Sequence, residues 1–132
     1  MDPNFNSISN LETKALEFAK VGKYKESEEL YRNLIELGSQ NSVVYTNLAA
    51  LMQIKGDRRN NIFLLKKAIS LDPNLPQAHS NLGLEFVNIG EFDNAINSYK
   101  KALELDANYA EAYNNFGQVL EIKGEYVEAI NS

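Results

Sequence analysis

Apolar residues recur three and four positions apart along most of the chain, which is the spacing of one face of an α-helix. Leu82 and Phe86 lie on such a stripe before Gly90, and Ala95 and Tyr99 lie on a second stripe after it. An apolar stripe of this kind is buried against another element in a folded protein. The pattern therefore predicts two antiparallel amphipathic helices with the glycine between them.

The same pattern repeats, because glycines at 22, 56, 90 and 124 are separated by 34 residues each time. A fixed period of this length is typical of stacked repeat arrays. The glycine is expected to end the first helix of each unit in a left-handed conformation. Two helices cannot bury both of their apolar faces, so neighbouring units are expected to stack. The predicted units are residues 8–41, 42–75, 76–109 and a partial unit at 110–132, after a flexible N-terminus at 1–7.

One set of residues in the third unit matches a known repeat motif: Leu82, Gly83, Phe86, Gly90, Phe92, Ala95, Tyr99, Ala102, Leu105 and Asp106. With the 34-residue period, these residues resemble the tetratricopeptide repeat (TPR), and copies in phase with them run from Ile8 to Ser132. The resemblance implies an all-α fold, a right-handed α-solenoid of antiparallel helix pairs known as the TPR superhelix.

Two columns of small residues mark where helices are expected to approach closely. A large side chain in either column would force the helices apart. Arg58 departs from the repeat, because it stands where the other units have an aromatic residue, and the first two units are expected to pack less regularly than the third. The columns are Ala15, Ala49, Gly83 and Gly117, and Ser27, Asn61, Ala95 and Ala129.

Charge and composition exclude several classes of protein. The net charge of -5 argues against nucleic-acid binding, which needs a surplus of Lys and Arg on one face. The sequence has no apolar run long enough to span a membrane and no start typical of a secretory signal, so a cytoplasmic location is expected. The absence of cysteine removes disulfides and thiolate chemistry.

No catalytic constellation is present in the sequence. The single histidine, His79, falls in the column of Leu11, Tyr45 and Tyr113, where a bulky residue packs between helices. It has no neighbouring metal ligand or nucleophile, so the structural interpretation is favoured. We predict that the chain is not an enzyme by itself and has no cofactor and no metal site.

An asparagine column carries the functional prediction. Asn47, Asn81 and Asn115, with Thr13 in the first unit, lie on the first helices, which by resemblance to the family line a concave groove. A ladder of amides offers a donor and an acceptor at each step and suits the backbone of an extended peptide. The alternative is that these residues serve only helix packing. The predicted peptide-binding residues are Thr13, Leu16, Asn47, Ala50, Gln53, Ser80, Asn81, Leu84, Val87, Asn114, Asn115 and Gln118, flanked by Glu12, Thr46 and Glu121.

Two subfamilies sharpen the functional prediction. Residues 78–103 and 110–130 resemble the repeat arm of O-linked N-acetylglucosamine transferases, in which an asparagine ladder holds substrate peptides. The chain is therefore expected to be a protein-interaction module or scaffold, or the substrate-recruiting arm of a longer transferase. Co-chaperone members bind acidic tails through groove Lys, Asn and Arg residues. The matching positions here lack the basic residues, so capture of an acidic tail is not expected.

Charge is unevenly distributed, which leaves self-assembly open. Residues 42–75 carry five basic and two acidic groups, whereas residues 76–132 have a net charge of -6. The basic cluster Arg58, Arg59, Lys66 and Lys67 is expected to be a solvated face, or else to contact the acidic end of another copy. The unfinished fourth unit predicts that the chain continues beyond Ser132 in a longer protein, or that a second chain covers its apolar end, with frayed residues near 126–132.

Overall fold

A computed structural model describes residues 3–131 and shows an all-helical chain. Consecutive helices are joined by short turns and pack as antiparallel neighbours, and each pair stacks on the next. This is the predicted solenoid of helix pairs. Within the described residues the helices are α1 (Pro3–Lys20), α2 (Tyr24–Glu36), α3 (Ser42–Lys55), α4 (Asn61–Leu71), α5 (Pro76–Asn88), α6 (Phe92–Leu105) and α7 (Ala110–Asn131).

The repeated glycines end the first helices of the first three units, as predicted. Gly22, Gly56 and Gly90 have φ values of 81°, 85° and 79°, which residues with a Cβ rarely adopt. After Gly56 and Gly90, backbone N–H groups reach back to the carbonyls of the preceding helix, so the orphan acceptors at the helix ends are satisfied.

The core runs continuously through the stacked pairs rather than forming one central cluster. Ala15, Leu48, Ala68, Tyr99 and other apolar residues of successive units are buried and belong to a single contact network. In the first three units the predicted small columns are buried, and the fully buried Ser27 hydroxyl donates to the Ala15 carbonyl at 2.6 Å. The fourth-unit members of both columns are exposed. Each unit therefore depends on its neighbours for burial.

The structure of the second unit differs from that of the other units at the positions where its sequence departs from the repeat. Arg58 replaces an aromatic residue, and α4 begins at Asn61, whereas α2 and α6 begin at the aromatic position itself. Asn61, in the small column, is 1% exposed and donates to the buried Glu85 carboxylate at 3.5 Å. The Arg58 guanidinium lies 3.9 Å from the same carboxylate. A polar contact thus replaces apolar packing between α4 and α5.

The expected helix break at Gly124 is wrong. The helix α7 continues through this glycine to Asn131, and Gly124 does not have a positive φ. Extending an existing helix needs no new nucleus, whereas a separate helix of seven residues is marginal in stability. Placing glycine inside a helix costs about 1 kcal/mol relative to alanine, which is less than the free energy needed to nucleate a separate short helix. Of residues 126–132, which are expected to fray, residues 126–131 belong to α7, and Ser132 lies outside the described residues.

The N-terminal segment also differs from the expectation. The helix α1 begins at Pro3, so the residues expected to form a flexible tail belong to the first helix from position 3 onward. Proline suits the first turn of a helix because it lacks only a donor that has no partner there. Within residues 3–131, none of the helices has both the length and the apolar character that crossing a membrane requires.

Candidate functional site

The predicted groove residues lie on the first helices α1, α3, α5 and α7, and we call this surface the first-helix face. On α1 and α7 the predicted side chains are mostly exposed, whereas on the two central helices they are half-buried. Thr13, Leu16, Asn114 and Gln118 are exposed, and Asn47, Ala50, Gln53, Asn81, Leu84, Val87 and Asn115 are half-buried.

Ser80 has to be removed from the predicted set. Its side chain is 1% exposed, so it cannot contact a ligand on this face. It lies against Tyr109, the residue before α7, where burial raises the pKa of the Tyr109 phenol and the Ser80 hydroxyl acts in the opposite direction. Thr46, in the same column, is 3% exposed and donates to the Ser42 carbonyl at 3.1 Å. This column faces the adjoining helix in the central units.

Asn47 is engaged within the protein. Its side-chain amide donates to the Tyr31 hydroxyl at 3.0 Å, across the contact between α2 and α3. Tyr31 is 2% exposed, and burial raises the pKa of its phenol. The Asn47 amide therefore has a structural role, and only its carbonyl oxygen and remaining N–H are left for a ligand.

Asn81 and Asn115 are different, because within residues 3–131 no side chain forms a hydrogen bond with either amide. Asn81 lacks the tyrosine partner that Asn47 has, because Leu65 occupies the position that Tyr31 has one unit earlier, and leucine has no hydroxyl group. Tyr99 stands at this position before Asn115, yet its buried hydroxyl has no partner in the described part of the chain. Two half-buried amides on adjacent first helices are thus available to a ligand.

A cavity of about 220 Å³ opens on this face between α1 and α3. It brings together the predicted residues Thr13, Leu16 and Asn47. The walls are mixed: Leu16 and Val43 are 42% and 46% exposed and form an apolar rim. The remaining lining residues are Glu12, Tyr31, Asn41 and Val44.

The charged group of this cavity is Glu12, which is half-buried. One carboxylate oxygen accepts a hydrogen bond from the Asn41 side-chain amide at 3.1 Å. Asn41 is itself fixed, because its carbonyl oxygen caps α3 by accepting from the Val43 backbone N–H at 3.0 Å. A helix cap thus holds the carboxylate in place.

A larger cavity that the sequence does not predict lies among α2, α3 and α4, with a volume of about 540 Å³. The exposed ring of Phe63 stands at its edge, and the Arg32 guanidinium reaches the Met52 sulfur at 3.4 Å inside it. Its charged lining includes both Arg32 and Asp57. Because positive and negative side chains both line this cavity, it favours neither an anionic nor a cationic ligand.

His79 packs as predicted. It is 8% exposed, and its Nε2 lies 2.9 Å from the Pro73 carbonyl oxygen, which fixes the ring against the preceding turn. In the part of the chain that the structure describes, no group of three or more His, Asp and Glu side chains is placed to hold a metal ion.

The basic cluster of the second unit is partly paired within the chain. Arg59 pairs with Asp57 at 3.0 Å, Arg58 reaches Glu85, and the Lys66 ammonium lies 5.9 Å from the centre of the Phe86 ring. These contacts reduce the charge that the cluster offers to a second copy of the chain.

Tyr31 and Tyr99 occupy equivalent positions with different hydrogen bonding, so Tyr31→Phe and Tyr99→Phe are expected to change stability in opposite directions. Loss of the Tyr31 hydroxyl removes the Asn47 hydrogen bond and should cost about 1 kcal/mol. Loss of the Tyr99 hydroxyl removes a buried group that has no hydrogen-bond partner within residues 3–131 and should add about 1 kcal/mol. Urea unfolding of the two variants measures both effects.

The pH dependence provides a control for Tyr99. Burial, with a smaller contribution from Glu111, raises the pKa of Tyr99 to about 12 from 10.0. The stability linked to its protonation is therefore complete below pH 10.0 and is lost as the pH rises through about 12. Tyr99→Phe should therefore reduce the loss of stability at alkaline pH.

Equal changes of stability in Tyr31→Phe and Tyr99→Phe at neutral pH would show that the two hydroxyls do not differ in hydrogen bonding as described.

Comparisons with known proteins agree with the observed fold. A sequence model described as "TPR repeat" matches residues 83–124. No curated protein matches the chain in sequence. The fold is that of solved TPR proteins, beginning with the first TPR of Spaghetti (RPAP3) bound to an HSP90 peptide. That structure has a TM-score of 0.83 and 23% identity, and the alignment covers 89% of this chain and 93% of that one.

Two further structures are similar over most of this chain. MamA has a TM-score of 0.83 and 25% identity, with 96% of this chain and 74% of MamA covered. An O-GlcNAc transferase mutant from Thermobaculum terrenum has a TM-score of 0.82 and 28% identity over 91% of this chain. The chain spans only 23% of the transferase, so this similarity concerns one part of that enzyme.

Proposed function

Starting from a chain with the tetratricopeptide-repeat fold and a matched repeat at residues 83–124, we propose that it is a protein-interaction module that binds an extended peptide on its first-helix face. The observation that carries the proposal is the pair of amides at Asn81 and Asn115, which no side chain within residues 3–131 engages in a hydrogen bond. Each amide offers a donor and an acceptor to the main chain of a peptide. The half-buried Leu84 and Val87 beside them offer apolar contact.

The half-burial of these two amides supports a role in binding over a role in packing alone. A half-buried amide with no hydrogen-bond partner costs free energy unless water solvates it. A peptide backbone laid along the face replaces that water and satisfies both amides at once. This mode of recognition takes its affinity from main-chain hydrogen bonds and reads side chains only at intervals.

A solved structure of this fold holds an HSP90 peptide, which supports peptide binding as a use of the architecture. The acidic tail itself is not the expected ligand here, because the groove positions lack the basic residues that such a tail needs. The charged residue of the cavity on this face is the carboxylate of Glu12.

Selection from a display library of unstructured dodecapeptides tests the proposal. Peptides that bind are synthesised, and their affinities are measured by fluorescence anisotropy. The same peptides with alternate backbone amides N-methylated should lose most of their affinity, because methylation removes main-chain donors. Unchanged affinity after methylation would contradict main-chain recognition, and a failure to select any peptide would contradict the proposed function.

A second candidate is the recruiting arm of a longer transferase, which the similarity to the O-GlcNAc transferase structure favours. Such an arm would bind its substrate proteins through the same face. The coding sequence downstream of Ser132 discriminates between the candidates, because a catalytic domain in frame would support the arm.

Self-assembly is a third candidate and rests on the outer side of α7. Tyr113, Leu120 and Ile130 are 54%, 46% and 81% exposed, although Tyr45 and Phe86 at the equivalent positions of earlier units are buried. Copies that associate through this surface should show an apparent mass that rises with concentration in light scattering. A monomer at every concentration and salt level would remove this candidate.

A further inference from the structure

We propose that the cavity between α1 and α3 binds a Lys or Arg side chain of the bound peptide, with the Glu12 carboxylate pairing with the cation. The inference rests on the proposed peptide-binding function and names the chemistry of one residue in the peptide. The site combines a cavity that is open to the first-helix face, a fixed anion and an apolar rim.

The volume suits one long side chain. The cavity holds about 220 Å³, which is equal to roughly seven water molecules at the density of the liquid. It is too small for a folded segment. It opens on the first-helix face beside Asn47, so a side chain can enter from a backbone that lies along that face.

The anion is fixed before the ligand arrives. Asn41 donates to one oxygen of Glu12, and Asn41 is itself locked as the cap of α3. No Lys or Arg within residues 3–131 forms an ion pair with this carboxylate. A carboxylate has room for about four hydrogen bonds, and a single neutral donor leaves most of that capacity unused. Its charge also reaches the base of the cavity, where it contributes to raising the pKa of Tyr31.

The walls suit the stem of a basic residue. Leu16 and Val43 form an apolar rim, and Val44 is fully buried behind it. Lys and Arg place their methylene groups along such surfaces while the charged end reaches a polar partner. An acidic side chain would be repelled by Glu12, and an aliphatic one would leave the carboxylate without an ion-pair partner.

The test is a double-mutant cycle on the tightest dodecapeptide from the selection described above. Each Lys or Arg of the peptide is replaced in turn by norleucine, which keeps the stem and removes the charge. At one position this replacement should weaken binding to the wild-type protein about tenfold, or about 1.4 kcal/mol. Glu12→Gln should weaken binding of the parent peptide to a similar degree. The norleucine peptide should bind this variant no more weakly than the parent peptide does.

Glu17→Gln is the matched control, because Glu17 is an exposed carboxylate on the same helix and does not line the cavity. It changes the net charge equally and should leave binding unchanged. Glutamine at position 12 still accepts from Asn41, so the fold is retained, and thermal unfolding checks this. The wild-type affinity for the parent peptide should also fall as salt is raised.

The outcomes separate the two proposals. If peptides bind but no position shows coupling to Glu12, or if the selected peptides contain no Lys or Arg, the cation site is wrong and the binding function stands. Equal losses in Glu12→Gln and Glu17→Gln would also overturn the site, because the effect would then be one of overall charge. If no peptide binds, both proposals fail together.

Discussion

Replacing Gly83 with alanine is expected to destabilise the protein, although alanine is the better helix former. An ideal Cβ at this position would lie 2.7 Å from Cε1 of Tyr99 and 2.9 Å from its Cζ. Tyr99 is completely buried, so its ring has no free space into which it can move. Overpacking of this kind costs about 1 to 3 kcal/mol. The gain in helix propensity, about 1 kcal/mol, offsets only part of that cost.

The repeat supplies a matched control, because Gly117 occupies the same column one unit later. It also lies inside a helix, and apart from its chain neighbours and the backbone of its own helix, no atom of the described residues lies within 4 Å of an ideal Cβ there. Gly117→Ala should therefore raise stability by up to about 1 kcal/mol through propensity alone. Urea unfolding followed by circular dichroism measures both variants. If both were stabilised equally, the close approach of α5 and α6 would not be a packing constraint.

The double variant Asn81→Ala and Asn115→Ala is expected to bind the selected peptides about thirtyfold more weakly than the wild type. Each amide is expected to contribute about 1 kcal/mol through hydrogen bonds to the peptide main chain, and about 2 kcal/mol corresponds to that factor. Stability should change little, because neither amide is paired within the described chain. Fluorescence anisotropy measures the affinity, and circular dichroism measures the helix content.

Two control variants show whether the loss of affinity is specific to Asn81 and Asn115 or follows from removing any asparagine. Asn97→Ala removes an exposed amide from α6 and should leave affinity unchanged. Asn47→Ala removes the donor to Tyr31 and should lower stability by about 1 kcal/mol in addition to any effect on binding. Retention of full affinity by the double variant would mean that the asparagine column is only structural.

The sequence predicted the helix pairs, their stacking and the glycine stops because these depend on local rules. A period of 34 residues places Gly22, Gly56 and Gly90 at equivalent points, and each has the left-handed conformation that the rule requires. Gly124 obeys the same pattern in sequence and yet lies inside α7. Its conformation depends on whether a second helix packs back against the first, which is a tertiary effect.

The candidate site could be predicted only in part for a related reason. The sequence identified the asparagine column, but it did not show that Tyr31 engages Asn47, because the two side chains meet across a unit boundary. The alternation of Tyr31, Leu65 and Tyr99 in one column was the available signal. The burial of Ser80 also depends on tertiary packing, because Tyr109, at the other end of the same unit, lies beside it.

Nuclear magnetic resonance of the side-chain amides tests the central claim most directly. A selected dodecapeptide is titrated into the labelled protein, and the amide signals of all asparagines are followed. We predict that the signals of Asn81 and Asn115 shift in proportion to occupancy, while that of Asn97 stays in place. Shifts confined to Asn97 and other residues of the second helices, with Asn81 and Asn115 unaffected, would contradict binding on the first-helix face.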